Sequence, residues 1–249
     1  MEVVNDLLNY NGYKIIQRTD GFNFSLDSVL LANFATVNKK VKNIIDLGCG
    51  NAPIPIILST LTPAKIIGID IQKISCDLAR RSVLMNNLQN QIEIICDNYK
   101  NIHKKLGHDT FDLVICNPPY FIVREDSNLN DSKLKEIARH EVFATLDDVL
   151  YTAKVLLKNN GYFAMVHRPE RLVEIIEKMK KHNIEPKRLR FVYPKKTAAA
   201  NLILIEGRRN GNTGLTVEYP LYTHNIGGDY SDEVKEMFNG GNNEYTKKL

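Results

Sequence analysis

Four short apolar runs, Asn43–Leu47, Lys65–Ile69, Ile92–Cys96 and Phe111–Cys116, constrain the fold of this chain more than any other feature. They are nearly unbroken stretches of Ile, Leu and Val rather than apolar–polar alternations, as strands buried on both faces require. Segments of helical period separate them, and further strands are expected at Gly161–His167, Arg188–Tyr193 and Asn201–Glu206. This is the pattern of βαβ units around a mostly parallel sheet with helices on both faces. The expected class is α/β with seven strands. Only a short polar loop joins the last two, so they are expected to pair antiparallel and supply an antiparallel edge strand.

Leu172, Ile175, Ile176 and Met179 repeat at helical spacing with charged residues opposite, and Val149, Ala153 and Leu156 do so after an acidic Asp147-Asp148 start. Ile74, Leu78 and Met85 mark a third helix ahead of Asn86-Asn87. All three stripes are read as core contacts. A chain of 249 residues fills one α/β core without forcing a second domain. The expected layout is a lid or helix extension over 1–40, a core over 41–209, and a C-terminal extension over 210–249 whose last residues, NNEYTKKL, have nothing to bury.

Composition narrows the function. Lys and Arg number 33 against 29 Asp and Glu, a net charge of +4 that permits an anionic partner without demonstrating one. Cys49, Cys76, Cys96 and Cys116 lack metal-type spacing and sit beside apolar residues, so buried free thiols are expected rather than a disulfide framework or a zinc site, and no metal is expected. No apolar run approaches the ~20 residues of a membrane span, and the first residues lack a signal peptide's basic patch and apolar block. The expectation is a reduced, cytoplasmic protein with no membrane partner.

The chemistry gathers at strand ends. The first strand runs through Asp46-Leu47 into Gly48-Cys49-Gly50-Asn51-Ala52 and then an apolar helix, a turn that lets a ligand approach bare backbone. A G-x-G turn alone is weak, and Ala52 stands near the place of a third glycine. Asp70 ends the second strand, where an acid can accept from both ribose hydroxyls, and Asp97 ends the third, where it can accept from an adenine amine. Taken singly, each acid is as readily a helix cap. The fourth strand ends in Asn117-Pro118-Pro119-Tyr120. Prolines fix φ and remove donors, so an Asn oxygen and a Pro carbonyl can both accept from one NH₂ group, while Tyr120 offers a stacking face. Four sites on one sheet edge are hard to ascribe to caps, because open α/β sheets bind ligands there.

Asp46-Leu47-Gly48-Cys49-Gly50, Asp70, Asp97 and Asn117-Pro118-Pro119-Tyr120, in this order, resemble the class I, Rossmann-like S-adenosylmethionine-dependent amino-methyltransferases. Three outer segments narrow the resemblance: Phe24 to Ala32, Ala138-Arg139-His140-Glu141, and Tyr193-Pro194-Lys195-Lys196 with Asn201 to Gly207 are similar to the bacterial tRNA(Val) adenine-N(6)-methyltransferases, which act on adenosine 37. The chain departs in having Ala52 where glycine is common and Asp70 where Glu is frequent.

The resemblance implies S-adenosylmethionine over Asp46, Gly48, Cys49 and Gly50, with Asp70 on its ribose, Asp97 near its adenine and Asn117 beside it. It implies catalysis by Asn117, Pro118, Pro119 and Tyr120 on an adenosine in tRNA. Asp27, Ser28, Arg139, His140, Lys195 and Lys196 join Tyr120 as substrate-binding candidates. Lys178, Lys180, Lys181, Lys187, Arg188, Arg190, Lys195 and Lys196 form a basic stretch whose competing reading is a solvated surface. A protein-glutamine methyltransferase acting on release factors, an rRNA or DNA adenine methyltransferase, and a non-catalytic RNA chaperone with the same fold stand as alternatives.

Overall fold

The computed structural model describes residues 1–9, 12–19, 25–118 and 145–240. In chain order the elements are β1 (Glu2–Asp6), β2 (Lys14–Arg18), α1 (Leu26–Phe34), β3 (Asn43–Leu47), α2 (Pro53–Leu61), β4 (Lys65–Asp70), α3 (Lys73–Met85), β5 (Ile92–Cys96), α4 (His103–Leu106) and β6 (Phe111–Cys116). There follow α5 (Leu146–Leu156), β7 (Leu157–His167), α6 (Leu172–Lys181), β8 (Ile184–Tyr193), β9 (Leu202–Arg209), β10 (Thr216–Val217), β11 (Leu221–Tyr222) and α7 (Asp232–Phe238).

The main sheet has the order β10-β8-β9-β7-β6-β3-β4-β5, with β11 also paired to β8. β7, β6, β3, β4 and β5 are mutually parallel neighbours. Successive residues of β3 enter opposite cores: Ile44 joins side chains of α1, α2 and α3, while Ile45 and Leu47 join those of α5 and α6. Covering both faces is what makes the strand sequences continuously apolar.

The seven strands read from sequence are all present, and the pairing of the last two is antiparallel. The place of the antiparallel strand differs from expectation. β9 is not the edge; it lies between β7 and β8, antiparallel to both, and β10 and β11 continue the sheet beyond β8. Its run LILIEG is buried from Leu202 to Gly207, as an interior strand demands.

A second correction concerns α3. Ile74 and Met85 are 58% and 42% exposed, and the buried stripe is Cys76, Leu78, Ala79, Ser82 and Val83. The polar Ser82 belongs to it because the β1–β2 hairpin docks there: Ile16 N–H donates to Ser82 Oγ at 3.0 Å, and Asn86 bonds both the N–H and the carbonyl of Lys14. The stripes of α5 and α6 lie as expected, with Val149, Ala153, Leu156, Ile175 and Met179 buried.

Both extensions are tied to the sheet. Helix α1 packs on α2 and α7, and Thr36 beyond it meets Glu206 of β9 through its N–H and hydroxyl, each at 2.7 Å. Arg188 of β8 donates to Glu206 at 3.0 Å and to Glu218 at 2.6 Å while its guanidinium lies 4.4 Å from the Phe34 ring centroid. The NNEYTKKL tail lies outside the described residues. No helix among the described residues is long and apolar enough to cross a membrane.

Candidate active site

From β3 the chain moves one way through the sheet to β4 and β5, then returns to the other side of β3 as β6. The connections diverge at the carboxyl end of β3, which opens a crevice at that rim. Asp46 and the glycine turn, Asp70, Asp97, and Asn117-Pro118 therefore arrive on four adjacent strands, β3, β4, β5 and β6.

The turn after β3 is clamped by its neighbour. Gly48 and Cys49 donate their N–H groups to the Ile69 carbonyl at 2.8 and 2.9 Å, and Gly50 donates to Asp70 Oδ2 at 2.9 Å. Gly48 and Gly50 have φ of 79° and 56°, and a Cβ built on either meets nothing within 4 Å among the described residues, which leave the space over the turn open. Ala52 also takes a left-handed conformation, φ 70°, one that an L-residue adopts only with strain. Asn51 reaches back from the turn, its Nδ2 donating to the Ile16 carbonyl at 2.8 Å.

Three carboxylates behave differently. Asp46 is 1% exposed, and among the described residues neither of its oxygens has a hydrogen-bond partner. Burial, with Asp70 nearby, holds its carboxyl well above the usual range, and burial together with Asp46 pushes up the thiols of Cys49 and Cys116. Asp70 accepts from Gly50 and, through Oδ1, from Gln72 N–H at 2.8 Å. The N-cap residue of α3 is Gln72, so Asp70 is not that cap; it links the strand end to the glycine turn. Asp97 accepts from Asn98 N–H at 2.7 Å and pairs with Lys105, which with that N–H holds its carboxyl below the usual range. Here too the cap is the neighbour, since Asn98 accepts from Lys100 N–H.

Leu47 and Cys116 are opposed across β3 and β6, and Cys116 Sγ donates to the Leu47 carbonyl at 3.1 Å, so the Asn117-Pro118 turn leaves directly beside the glycine turn. Asn117 Nδ2 donates to Ser28 Oγ at 3.4 Å, which brings the α1 candidate Ser28 into the site and fixes which end of the amide faces it. Asp27 occupies the first turn of the same helix. Pro119, Tyr120, Arg139 and His140 lie outside the described residues. Lys195 and Lys196 are exposed on the loop after β8, on the same rim but farther along the sheet.

Two neighbours of this rim were not singled out from sequence. Asn51 had no signal beyond its place in the turn. His167 ends β7, beside β6; it is buried, its Nδ1 accepts from Arg168 N–H at 2.8 Å, and burial with the Arg171 charge lowers its pKa to about 4. The imidazole is neutral with its proton on Nε2. A lone His at a strand end carries no spacing rule that would mark it.

The donor set suits an organic cation carrying a ribose: an unpartnered buried carboxylate under an open glycine turn, with a second carboxylate one strand away. Among the described residues, no group of three His, Cys, Asp or Glu side chains is placed to hold a metal ion.

Residues 38–240 match the family described as "Methyltransferase domain". The chain is 28% identical over 183 residues to a protein of Parabacteroides distasonis named tRNA1(Val) (adenine(37)-N6)-methyltransferase, covering 72% of this chain and 74% of that one. A Bacteroides thetaiotaomicron protein of the same name is 26% identical over 213 residues, with 85% and 86% covered. Among solved structures, a predicted O-methyltransferase of Agrobacterium tumefaciens superposes with a TM-score of 0.69 at 20% identity, covering 86% of this chain and 96% of that one. A geranyl diphosphate C-methyltransferase of Streptomyces coelicolor, solved with S-adenosyl-L-homocysteine, gives 0.56 at 10% identity, with 73% and 74% covered. These structural likenesses establish the α/β methyltransferase fold.

Proposed function

We propose, from the premise that this chain belongs to the methyltransferase domain family, that it transfers a methyl group from S-adenosylmethionine to the exocyclic amine of an adenine in tRNA. The names of the similar bacterial proteins support adenine 37 of tRNA1(Val) as the target. One observation carries the reading: a buried, unpartnered carboxylate, Asp46, lies under an open glycine turn directly beside the strand that ends in Asn117-Pro118.

When bound, S-adenosylmethionine supplies an electrophilic methyl group on a sulfonium. Asp46, whose proton is held by burial in the cofactor-free protein, ionises to compensate the cofactor's cationic end, and Asp70, fixed beside the glycine turn by Gly50 and Gln72, presents its carboxylate to the ribose hydroxyls. Asp97, bonded to Asn98 N–H and Lys105, keeps acceptor capacity at the adenine end, because a carboxylate has about four acceptor sites. An adenine amine is a poor nucleophile because its lone pair is delocalised into the ring. Asn117, oriented by Ser28, and the Pro118 carbonyl accept its hydrogens, which favours a more tetrahedral nitrogen with its lone pair directed at the methyl carbon. The gain comes from orientation and fixed dipoles rather than from a strong base. The proton released on methylation leaves to water. An adenosine in a loop suits such a site, since chemistry on a base requires it to be unstacked.

The test is mass spectrometry of nucleosides from unmodified tRNA incubated with the protein and isotopically labelled S-adenosylmethionine. Labelled N6-methyladenosine at one position is expected. Label confined to a release-factor glutamine would overturn the substrate while leaving the cofactor site intact.

A further inference from the structure

The basic stretch of the C-terminal half is not one surface. Helix α6 runs back from the rim and carries Lys178, Lys180 and Lys181 to the far side, where Lys178 pairs with Glu174 and Lys181 with Asp147. Arg188 is taken by Glu206 and Glu218, Arg190 by Glu233, and Lys187 donates to the Asn212 carbonyl. Lys180 is exposed on that side with no ion pair among the described residues, whereas Lys195 and Lys196 differ from all of these in place. They lie past the end of β8, which runs in the same direction as β6 and β7, so they stand on the rim that carries Asn117. Both are exposed, and among the described residues neither forms an ion pair.

Beside them rises a second, aromatic feature. β11 runs parallel to β8 with Tyr222 opposite Tyr193, so the turn over 223–231 leaves the sheet at the same rim. The two loops are joined: Thr223 N–H donates to the Tyr193 carbonyl at 2.9 Å, and His224 N–H donates to the Pro194 carbonyl at 3.0 Å. The rings of His224 and Tyr230 lie 5.0 Å apart at 36°, and Tyr230 rests in turn on Phe238. Tyr230 is 39% exposed, and Ile226 at the tip is 99% exposed. The turn carries one acid, Asp229. Arg168, at the end of β7, donates to the Asn201 carbonyl at 2.9 Å and fills the rim between this shelf and Asn117.

We propose that this shelf is where RNA flanking the target base docks, with Lys195 and Lys196 meeting phosphates and the part-exposed His224–Tyr230–Phe238 ring cluster taking an unpaired base against it. The inference rests on the reading of the chain as an RNA methyltransferase. Cations on a loop bonded to one that carries part-exposed aromatic rings are the composition that binds single-stranded nucleic acid. From β6 to β11 the rim spans about 19 Å at the usual spacing of neighbouring strands, too far for the target base itself and suited to nucleotides beyond it.

The experiment uses the full chain, unmodified tRNA and labelled S-adenosylmethionine across a series of salt concentrations. The double variant Lys195→Gln/Lys196→Gln is expected to raise the KM for tRNA and to reduce the slope of log affinity against log salt by between about one and two, at roughly 0.7–0.9 per lost phosphate contact. Tyr230→Ala is expected to raise that KM by roughly five- to a hundredfold, whereas Tyr230→Phe, which keeps the ring and its packing on Phe238, stays near wild type. S-adenosylmethionine affinity is unaltered in all three. A wild type that methylates tRNA, with both loss variants retaining its KM and salt slope, overturns the shelf alone. A wild type that binds S-adenosylmethionine yet neither binds nor methylates RNA overturns the substrate reading, and the shelf with it.

Discussion

Replacing Asp46 by Asn should stabilise the cofactor-free protein and weaken its hold on S-adenosylmethionine. The carboxyl is 1% exposed, has no hydrogen-bond partner and faces the charge of Asp70, so its folded pKa lies well above the ordinary 3.8. The native state therefore keeps a proton that the unfolded chain has released. Stability falls as pH climbs from 3.8 toward the folded value, by about 1.4 kcal/mol for each pH unit in that window. Asn has nearly the same shape and no charge to desolvate, so this loss disappears. For a chain of 249 residues, 1 kcal/mol moves Tm by roughly 2–4 °C. Calorimetry of both proteins without cofactor, from pH 4 to 8, should show coincident Tm values at the acid end and a widening lead for Asp46→Asn above it. Saturating S-adenosylmethionine, which at a hundred times its Kd stabilises a binding protein by about 2.7 kcal/mol, should raise the wild-type Tm far more than the variant's. A Tm difference that does not change with pH would refute the reasoning, as would a variant that keeps the full ligand-induced shift.

Asn117→Ala should lower kcat by about a hundredfold or more with little change in S-adenosylmethionine affinity, since losing one preorganised dipole at a reacting group costs roughly that much; single-turnover kinetics beside ligand titration separate the two effects. At Gly68 an added Cβ comes within 2.9 Å of Cys49 Sγ and of Ile94 Cδ1, so Gly68→Ala should destabilise by about 1–3 kcal/mol and weaken cofactor binding by shifting the glycine turn, as denaturant titration and calorimetry will show. Arg188→Met leaves Glu206 buried and uncompensated and should cost about 3–5 kcal/mol, whereas Arg188→Met/Glu206→Leu should recover much of it. His167 has a folded pKa of about 4 against an ordinary 6.5, so the unfolded chain gains its proton first and stability is lost as pH falls from 6.5 toward 4; a neutral replacement, His167→Gln, should remove on the order of 3 kcal/mol of that acid sensitivity in pH-dependent unfolding curves.

The core strands were legible because their composition reports burial on both faces, and the turn after β3 was legible because few residue types satisfy a left-handed conformation. Three features failed to show themselves. The buried face of α3 includes Ser82 and excludes Ile74 because a hairpin from the distant N-terminus supplies its partners. The position of β9 inside the sheet depends on which edge the chain returns to, which strand composition does not encode. Charge along the sequence showed eight basic residues between Lys178 and Lys196 without showing which were already paired.

By itself, then, the sequence determined the local pieces of the core: seven of its strands, where each ends, and which side chain stands at each end, but not the short strands β1, β2, β10 and β11 of the two extensions. Only the tertiary structure decided what those ends share. Among the described residues it left Asp46 without a hydrogen-bond partner, turned Asp70 toward Gly50 rather than into a helix cap, tied Asn117 to Ser28, and set Lys195 and Lys196, with no ion pair, on a loop bonded to the one that carries His224 and Tyr230. The physical reason is range: propensity and periodicity act between residues a few positions apart, whereas desolvation and pairing of charge depend on groups that meet across tens or hundreds of positions.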